Sequence, residues 1–263
     1  MARLTISNLA LERGGRPLIR GLNFSVDTGV IAVLGPNGVG KTTLLLAIAG
    51  LFPPSAGEVQ LVGKSLPAAG RARARVVGLL PQEHSPAFSH LCQDVVLLGR
   101  LAKFRRFWAP GSQDRAAAAV AMASVGISEL AGRRYDELSG GERRLVLLAM
   151  VICQDPEVLL LDEPTAFLDV KHSLLIMNQL RRFVGLGRVT VAVFHDVSQA
   201  VQCADWLLVL LADGRFAFGR VDEVLSPETL RESYGVDWEV GRTQTGRPFV
   251  VPLSMAGAAR SVG

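Results

Sequence analysis

No apolar run in the 263 residues is long enough to cross a bilayer. Leu145–Cys153 and Trp206–Ala212 fall short of the about 20 residues that a spanning helix needs, and they read as a buried helix and a buried strand. No apolar signal-peptide segment follows Met1-Ala2-Arg3-Leu4-Thr5, so the expectation is a cytoplasmic protein. Cysteine is scarce. The three residues Cys92, Cys153 and Cys203 are widely spaced with no C-x-x-C pair, and they read as free thiols in a reducing compartment. The four histidines are scattered and make no metal cluster. Internal repeats and low-complexity linkers are absent as well. The net charge is only +4, and its Arg-rich basic residues are spread along the chain. They read as a solvated face, with no nucleic-acid partner. A chain of this length forms one large domain or two modest ones around a sizeable core.

What is present centres on Gly35-Pro36-Asn37-Gly38-Val39-Gly40-Lys41-Thr42-Thr43, which fits the phosphate-loop pattern G-x-x-x-x-G-K-[ST]. Val30–Leu34 before it is an apolar, β-branched strand, and Leu44–Ala49 after it reads as a helix stopped by Gly50. Strand, Gly-rich turn and helix are the context the motif requires; a chance Gly-rich turn is the alternative. Glycines let the backbone wrap a phosphate closely, while loop N–H groups and the helix N-terminus supply positive potential. Lys41 is expected at the β- and γ-phosphates, Thr42 on Mg²⁺, and Thr43 at the α-phosphate.

Around this loop, residues 3–27 alternate as antiparallel strands about Gly14-Gly15. Pro53–Gly57 is a turn, Glu58–Leu61 a short strand, Arg71–Arg75 a short solvated helix, and Val76–Leu80 a buried strand before Pro81-Gln82. From about Gln93 to Gln154 the spacing is helical with no strand, and Ser112 is placed to cap a helix running from Gln113 toward Val125. Strand character returns at Val158–Leu161, Arg188–Phe194 and Trp206–Leu211, separated by helices near Val170–Val184 and Val197–Cys203. Alternating strands and helices predict an α/β fold with a mainly parallel sheet covered on both faces.

Two further stretches carry chemistry. The apolar strand Val158–Leu161 ends in Asp162-Glu163. Beside a phosphate loop, Asp162 can hold Mg²⁺ through water, and Glu163 can orient or deprotonate a water attacking the γ-phosphate. By itself, a strand ending in polar residues is common. In Leu138-Ser139-Gly140-Gly141-Glu142, a Ser hydroxyl and two glycines open an apolar helix, which makes a second anion site. One ATP does not need two such sites in one chain. Two copies facing head to tail would bring Ser139, Gly140, Gly141 and Glu142 onto the γ-phosphate held by the partner's loop. An N-capped helix after a flexible turn accounts for the same residues without a ligand.

Taken together these motifs resemble the ATP-binding subunits of ABC transporters: GPNGVGKTT resembles Walker A, LSGGE the signature motif and VLLLDE Walker B. Gln82 resembles the Q-loop glutamine, Phe167-Leu168-Asp169 the D-loop, and His195 the switch histidine. Order and spacing match across nearly the whole chain. The resemblance implies a phosphate-loop (RecA-like) ATPase core with an N-terminal antiparallel β part and an inserted helical subdomain. It implies that Gln82 touches Mg²⁺ or the attacking water, that His195 contacts the γ-phosphate and holds Glu163, and that Asp169 meets the partner's phosphate loop. Softer likenesses, at Pro164–His172, Asp94–Arg100 and Glu223–Val236, are to importers of the iron-siderophore, haem and vitamin B12 group.

From this follow the expected boundaries: residues 1–82 and 155–235 as the core, 83–154 as the helical subdomain, 236–263 as a C-terminal tail. The expected partners are a second copy, a membrane permease and, through it, a substrate-binding protein. The expected place is the cytoplasmic face of the inner membrane, held peripherally. Gln82–Asp94 is the expected permease-docking segment, with Phe88 as an exposed anchor or a buried subdomain residue. A soluble non-transport ABC ATPase usually has two ATPase halves or a long coiled-coil insertion, and this chain has neither. An export subunit would keep every motif, whereas a simple phosphate-loop kinase or GTPase has no use for LSGGE. Three departures from the family pattern stand out. Arg13 occupies the place where an aromatic usually stacks on adenine. Val39 replaces a smaller or polar residue, with little expected consequence. Arg144-Leu145 replaces the usual Gln–Arg pair and is expected to alter dimer contacts.

Overall fold

Alternating apolar residues fold Leu4–Arg13 (β1) and Arg16–Val26 (β2) into an antiparallel pair about Gly14-Gly15, both at positive φ. Gly29–Leu34 (β3) is buried at every residue and runs through the phosphate loop into Lys41–Ile48 (α1). Ala56–Leu61 (β4) returns to pair with β1, and Lys64–Ser65 (β5) pairs with β4. The exposed turn of helix Gly70–Arg73 (α2) then leads to Val77–Leu80 (β6). The computed structural model describes residues 2–67, 69–82, 90–103 and 110–256.

Between β6 and the next strand the described elements are helical: Cys92–Leu97 (α3), Ser112–Ser124 (α4) and Gly140–Cys153 (α5), with 3₁₀ turns between them. Ser112 is the first residue of α4, not its cap. Gly111 is the N-cap, and its N–H is taken by the Asp114 carboxylate at 3.1 Å. The acidic side chain one turn in displaces serine from the capping role.

Strands and helices then alternate as Val158–Asp162 (β7), Val170–Gly185 (α6), Val189–Val193 (β8), Val197–Cys203 (α7) and Trp206–Leu210 (β9). Phe216–Arg220 (β10), Val221–Val224 (α8) and Pro227–Tyr234 (α9) follow. The chain from 236 on, expected only as a tail, forms a hairpin of Val236–Arg242 (β11) and Pro248–Met255 (β12). That hairpin packs on α7, where Ser198 Oγ donates to the Val250 carbonyl at 3.1 Å.

The central sheet has the order β10-β9-β3-β8-β7-β6 and is parallel except for β10. The antiparallel sheet has the order β2-β1-β4-β5. Successive side chains on a strand face opposite ways. Val30, Ala32 and Leu34 of β3 therefore enter one core with α3 to α7, while Ile31 and Val33 enter the other with α1 and the antiparallel sheet. Burial on both faces is why β3, β7 and β8 read as near-continuous apolar runs, interrupted only by Thr190 in β8 and closed by Asp162 in β7. The three cysteines are buried and free, and burial pushes the thiols of Cys153 and Cys203 up to about 11 and about 12.

Candidate functional site

At the C-terminal ends of β3, β7 and β8 lies a cavity of about 330 Å³. It is lined by Asn37, Gly38, Gly40, Lys41, Thr42 and Thr43 of the loop. Gln82, Asp162, Glu163 and His195 complete the wall together with Arg13 and Leu18. Two glycines are sterically required here. A Cβ on Gly35 (φ +143) would lie 2.8 Å from the Leu210 carbonyl, and one on Gly40 (φ +112) would lie 3.0 Å from Leu18 Cβ. Gly40 caps α1, so the helix begins with Lys41 inside the cavity. Lys41 Nζ donates to the carbonyls of Gly35 at 2.7 Å and Pro36 at 2.9 Å. Burial lowers its pKa, and the charges of Glu163 and Asp162 oppose that. Val39 is buried in the core.

Although β8 separates β3 from β7 in the sheet, α1 packs across and brings Thr42 to the end of β7. Thr42 Oγ1 donates to Asp162 Oδ2 at 2.6 Å. Asp162 is 1% exposed, and its Oδ1 is buried with no partner among the described residues. The Thr42 hydroxyl and the Asp162 carboxylate, one of whose oxygens is unpartnered, are two oxygen-donor side chains of the kind a hard divalent cation takes.

Glu163 is held from several sides. Its backbone sits at φ +54, a region that costs a non-glycine residue energy and recurs at functional sites. Its N–H donates to the Val193 carbonyl at 3.1 Å. Its Oε1 accepts from Gln82 Nε2 at 2.9 Å and lies 2.8 Å from His195 Nε2. His195 is placed by β8 on one side and on the other by Asp196, whose carboxylate caps α7.

Other expected site residues do not line this cavity. Ser139 caps α5: its hydroxyl accepts from the Glu142 N–H at 3.3 Å, and Glu142 Oε2 accepts from the Ser139 N–H at 2.8 Å. That capping box lowers the Glu142 pKa and leaves Ser139 and Gly140 exposed on the surface. Asp169 caps α6 through His172 N–H at 2.7 Å. Beside it Phe167 is 92% exposed. Phe88 and the rest of 83–89 lie outside the described residues.

Arg144 and Leu145 are not at the surface where dimer contacts were expected; both are buried, and Arg144 points inward to backbone carbonyls at the ends of β6 and β7. Tyr234 was missed as a site residue. Its hydroxyl, whose pKa burial raises to about 12, accepts the N–H of Gly35 at 2.8 Å.

The ABC transporter family profile matches residues 19–166. A hemin import ATP-binding protein, HmuV, of Gloeobacter violaceus is 41% identical over 266 residues, covering 96% of this chain and 95% of the relative. A cobalamin import ATP-binding protein, BtuD, of Halobacterium salinarum is 38% identical over 95% of this chain and 63% of its own length. Among solved structures, a metal-chelate type ABC transporter in an inward-facing conformation has a TM-score of 0.83 at 28% identity, covering 96% of this chain and 98% of that one.

Proposed function

Since this chain belongs to the ABC transporter family, we propose that it is the ATP-hydrolysing subunit of an importer carrying an iron-siderophore, haem, cobalamin or related metal complex through a membrane permease. The likeness to hemin and cobalamin import subunits over nearly the whole chain supports that cargo class. It lends no support to a soluble non-transport ATPase or an export subunit. One observation carries the ATPase reading: a single cavity joins the phosphate loop, the Thr42–Asp162 pair, and a Glu163 carboxylate shared by Gln82 and His195.

In this reading the N–H groups of residues 35–43 and the start of α1 bind the phosphates, with Lys41 on the β- and γ-groups. Thr42 and Asp162 would hold Mg²⁺, which offsets phosphate charge when bound. Glu163 accepts the proton of the attacking water. Gln82 and His195 hold that carboxylate in place and keep it aimed at the γ-phosphate. Ser139–Glu142 and Asp169, outside the cavity, face a second copy, whose phosphate loop they complete head to tail. The core, 1–82 and 155–235, carries the nucleotide, and 83–154 carries the permease contact. No helix among the described residues is long and apolar enough to cross a membrane, in keeping with peripheral attachment to a permease from the cytoplasmic side.

Copurification with a polytopic permease, followed by reconstitution in vesicles, tests the reading. ATP-driven uptake of haem, a ferric siderophore or cobalamin is expected. Hydrolysis with no copurifying permease and no uptake of any of the three would contradict it. The substrate-binding protein that docks on the complex would then identify the cargo.

A further inference from the structure

Arg144 is a 7% exposed arginine that the ATPase reading leaves unused. It sits in the second turn of α5, just after Ser139 and the two glycines that open the helix. Its Nη1 donates to the carbonyls of Pro81 at 2.6 Å and Gln82 at 3.2 Å. Its Nη2 donates to the carbonyls of Asp162 and Glu163, the latter at 3.1 Å. These two carbonyl pairs close the neighbouring parallel strands β6 and β7. A planar guanidinium fork matches two acceptor pairs in a way that a lysine or an amide does not. The other end of α5 is tied down as well: Gln154 Nε2 donates to the carbonyls of Ala74 and Val77, each at 2.6 Å, where β6 begins. The helix is thus pinned to β6 at both ends, and Arg144 makes the pin nearest the cavity.

Burial lowers the Arg144 pKa, while the charges of Asp162 and Glu163 oppose that shift. Removing the guanidinium would leave four carbonyls, the Asp162 one in a buried bond and the other three in part-buried bonds, short of a donor, and unpaired acceptors out of reach of water relax toward other partners. The residues those carbonyls belong to include Gln82 and Glu163, whose side chains meet in the cavity.

We propose that Arg144 is a positioning residue for hydrolysis: it fixes the backbones of Gln82 and Glu163 to the helix opened by Ser139–Gly141. A shift at that helix is then passed directly to the Gln82–Glu163 pair. This rests on the ATPase reading above. It assigns a role to a position where the chain departs from the usual Gln–Arg pair, and Leu145, buried in the core, cannot supply it.

The test compares wild type with Arg144→Lys and Arg144→Met in steady-state hydrolysis, nucleotide titration, thermal melting and backbone hydrogen exchange. Lysine keeps the charge and reaches fewer carbonyls, so it keeps the variant folded and separates positioning from collapse. The expected result for Arg144→Lys is ATP affinity within about twofold of wild type and kcat lower by roughly tenfold to a hundredfold, the scale of a displaced catalytic group. Arg144→Met, which keeps a long side chain but has no donor, should lose more. Amide exchange should quicken at Gln82 and Glu163 in both variants. Wild-type kcat in Arg144→Lys, or a loss of activity that only follows the loss of folded protein, overturns the proposal. A wild-type protein that hydrolyses no ATP instead removes the ATPase reading, and this proposal with it.

Discussion

The hydroxyl of Tyr234 accepts the backbone N–H of Gly35 at 2.8 Å, joining the end of α9 to the first glycine of the phosphate loop. Tyr234 also meets Trp238 of β11 edge-on, with ring centroids 5.8 Å apart. The C-terminal hairpin is thereby tied to the nucleotide cavity on one side and to α7, which follows His195, on the other. Tyr234→Phe keeps the ring and removes the acceptor, leaving a buried N–H unpaired at a cost of about 1–3 kcal/mol. The expected outcome is a lower melting temperature together with weaker ATP binding, read by calorimetry. Unchanged ATP affinity would show that the loop does not depend on this bond.

The same phenol predicts a pH dependence. Burial raises Tyr234 from the ordinary 10.0 to about 12, so the folded chain keeps a proton that the unfolded chain releases first. Its stabilising share is complete below pH 10.0, declines as pH rises, and is gone above about 12. Alkaline unfolding should therefore be shallower across that window in Tyr234→Phe. Identical slopes would place the alkaline sensitivity elsewhere, with the buried thiols of Cys153 and Cys203 the next groups to examine.

Much of the site can be read from local sequence. The apolar runs gave β3, β7, β8 and β9, and α7 spans Val197–Cys203 as expected. These elements are buried on both faces, so period and composition announce them. The hairpin β11–β12 was not anticipated. Its Trp238 and Val240 alternate, but Pro248 and Pro252 discourage a strand reading, as prolines fit only edge strands. Arg144, expected to alter dimer contacts, is buried instead. It falls on the same helical stripe as Leu147, Leu148 and Val151, all buried, and that spacing is the signal that would have turned it inward. Nothing local marks Tyr234, because its partner Gly35 is 199 residues away.

Metal dependence should centre on Thr42 and Asp162. Asp162→Asn keeps the shape and weakens the acceptor set, so roughly 10–100-fold more Mg²⁺ should be needed for half-maximal turnover. Nucleotide binding without Mg²⁺ should change little. Chelation by EDTA should abolish turnover in wild type and variant alike. An unchanged Mg²⁺ midpoint in Asp162→Asn would remove Asp162 from the metal site.

Arg13 lines the cavity with Leu18, where the family usually places an aromatic. Base–aromatic stacking contributes about 1–3 kcal/mol, whereas a long arginine must surrender side-chain entropy to lie flat on a base. Affinity then rests mainly on phosphate contacts that all nucleoside triphosphates share. Modest discrimination between ATP and GTP is expected, with binding tighter by up to about 1 kcal/mol in Arg13→Tyr. Titration of wild type, Arg13→Ala and Arg13→Tyr decides it; no gain in Arg13→Tyr contradicts a missing stacking platform.

The most direct measurement of the central claim is size-exclusion chromatography of Glu163→Gln with ATP and Mg²⁺, alongside its hydrolysis rate. An amide keeps the contacts of Glu163 in the cavity but cannot take the proton, so turnover should fall by about 10²–10⁴-fold while ATP still binds. Uncleaved ATP should then hold two copies together, and the variant should elute as a dimer with ATP and as a monomer without it. Hydrolysis at the wild-type rate in Glu163→Gln would contradict the assignment of Glu163, and with it the account of this cavity as the site of ATP cleavage.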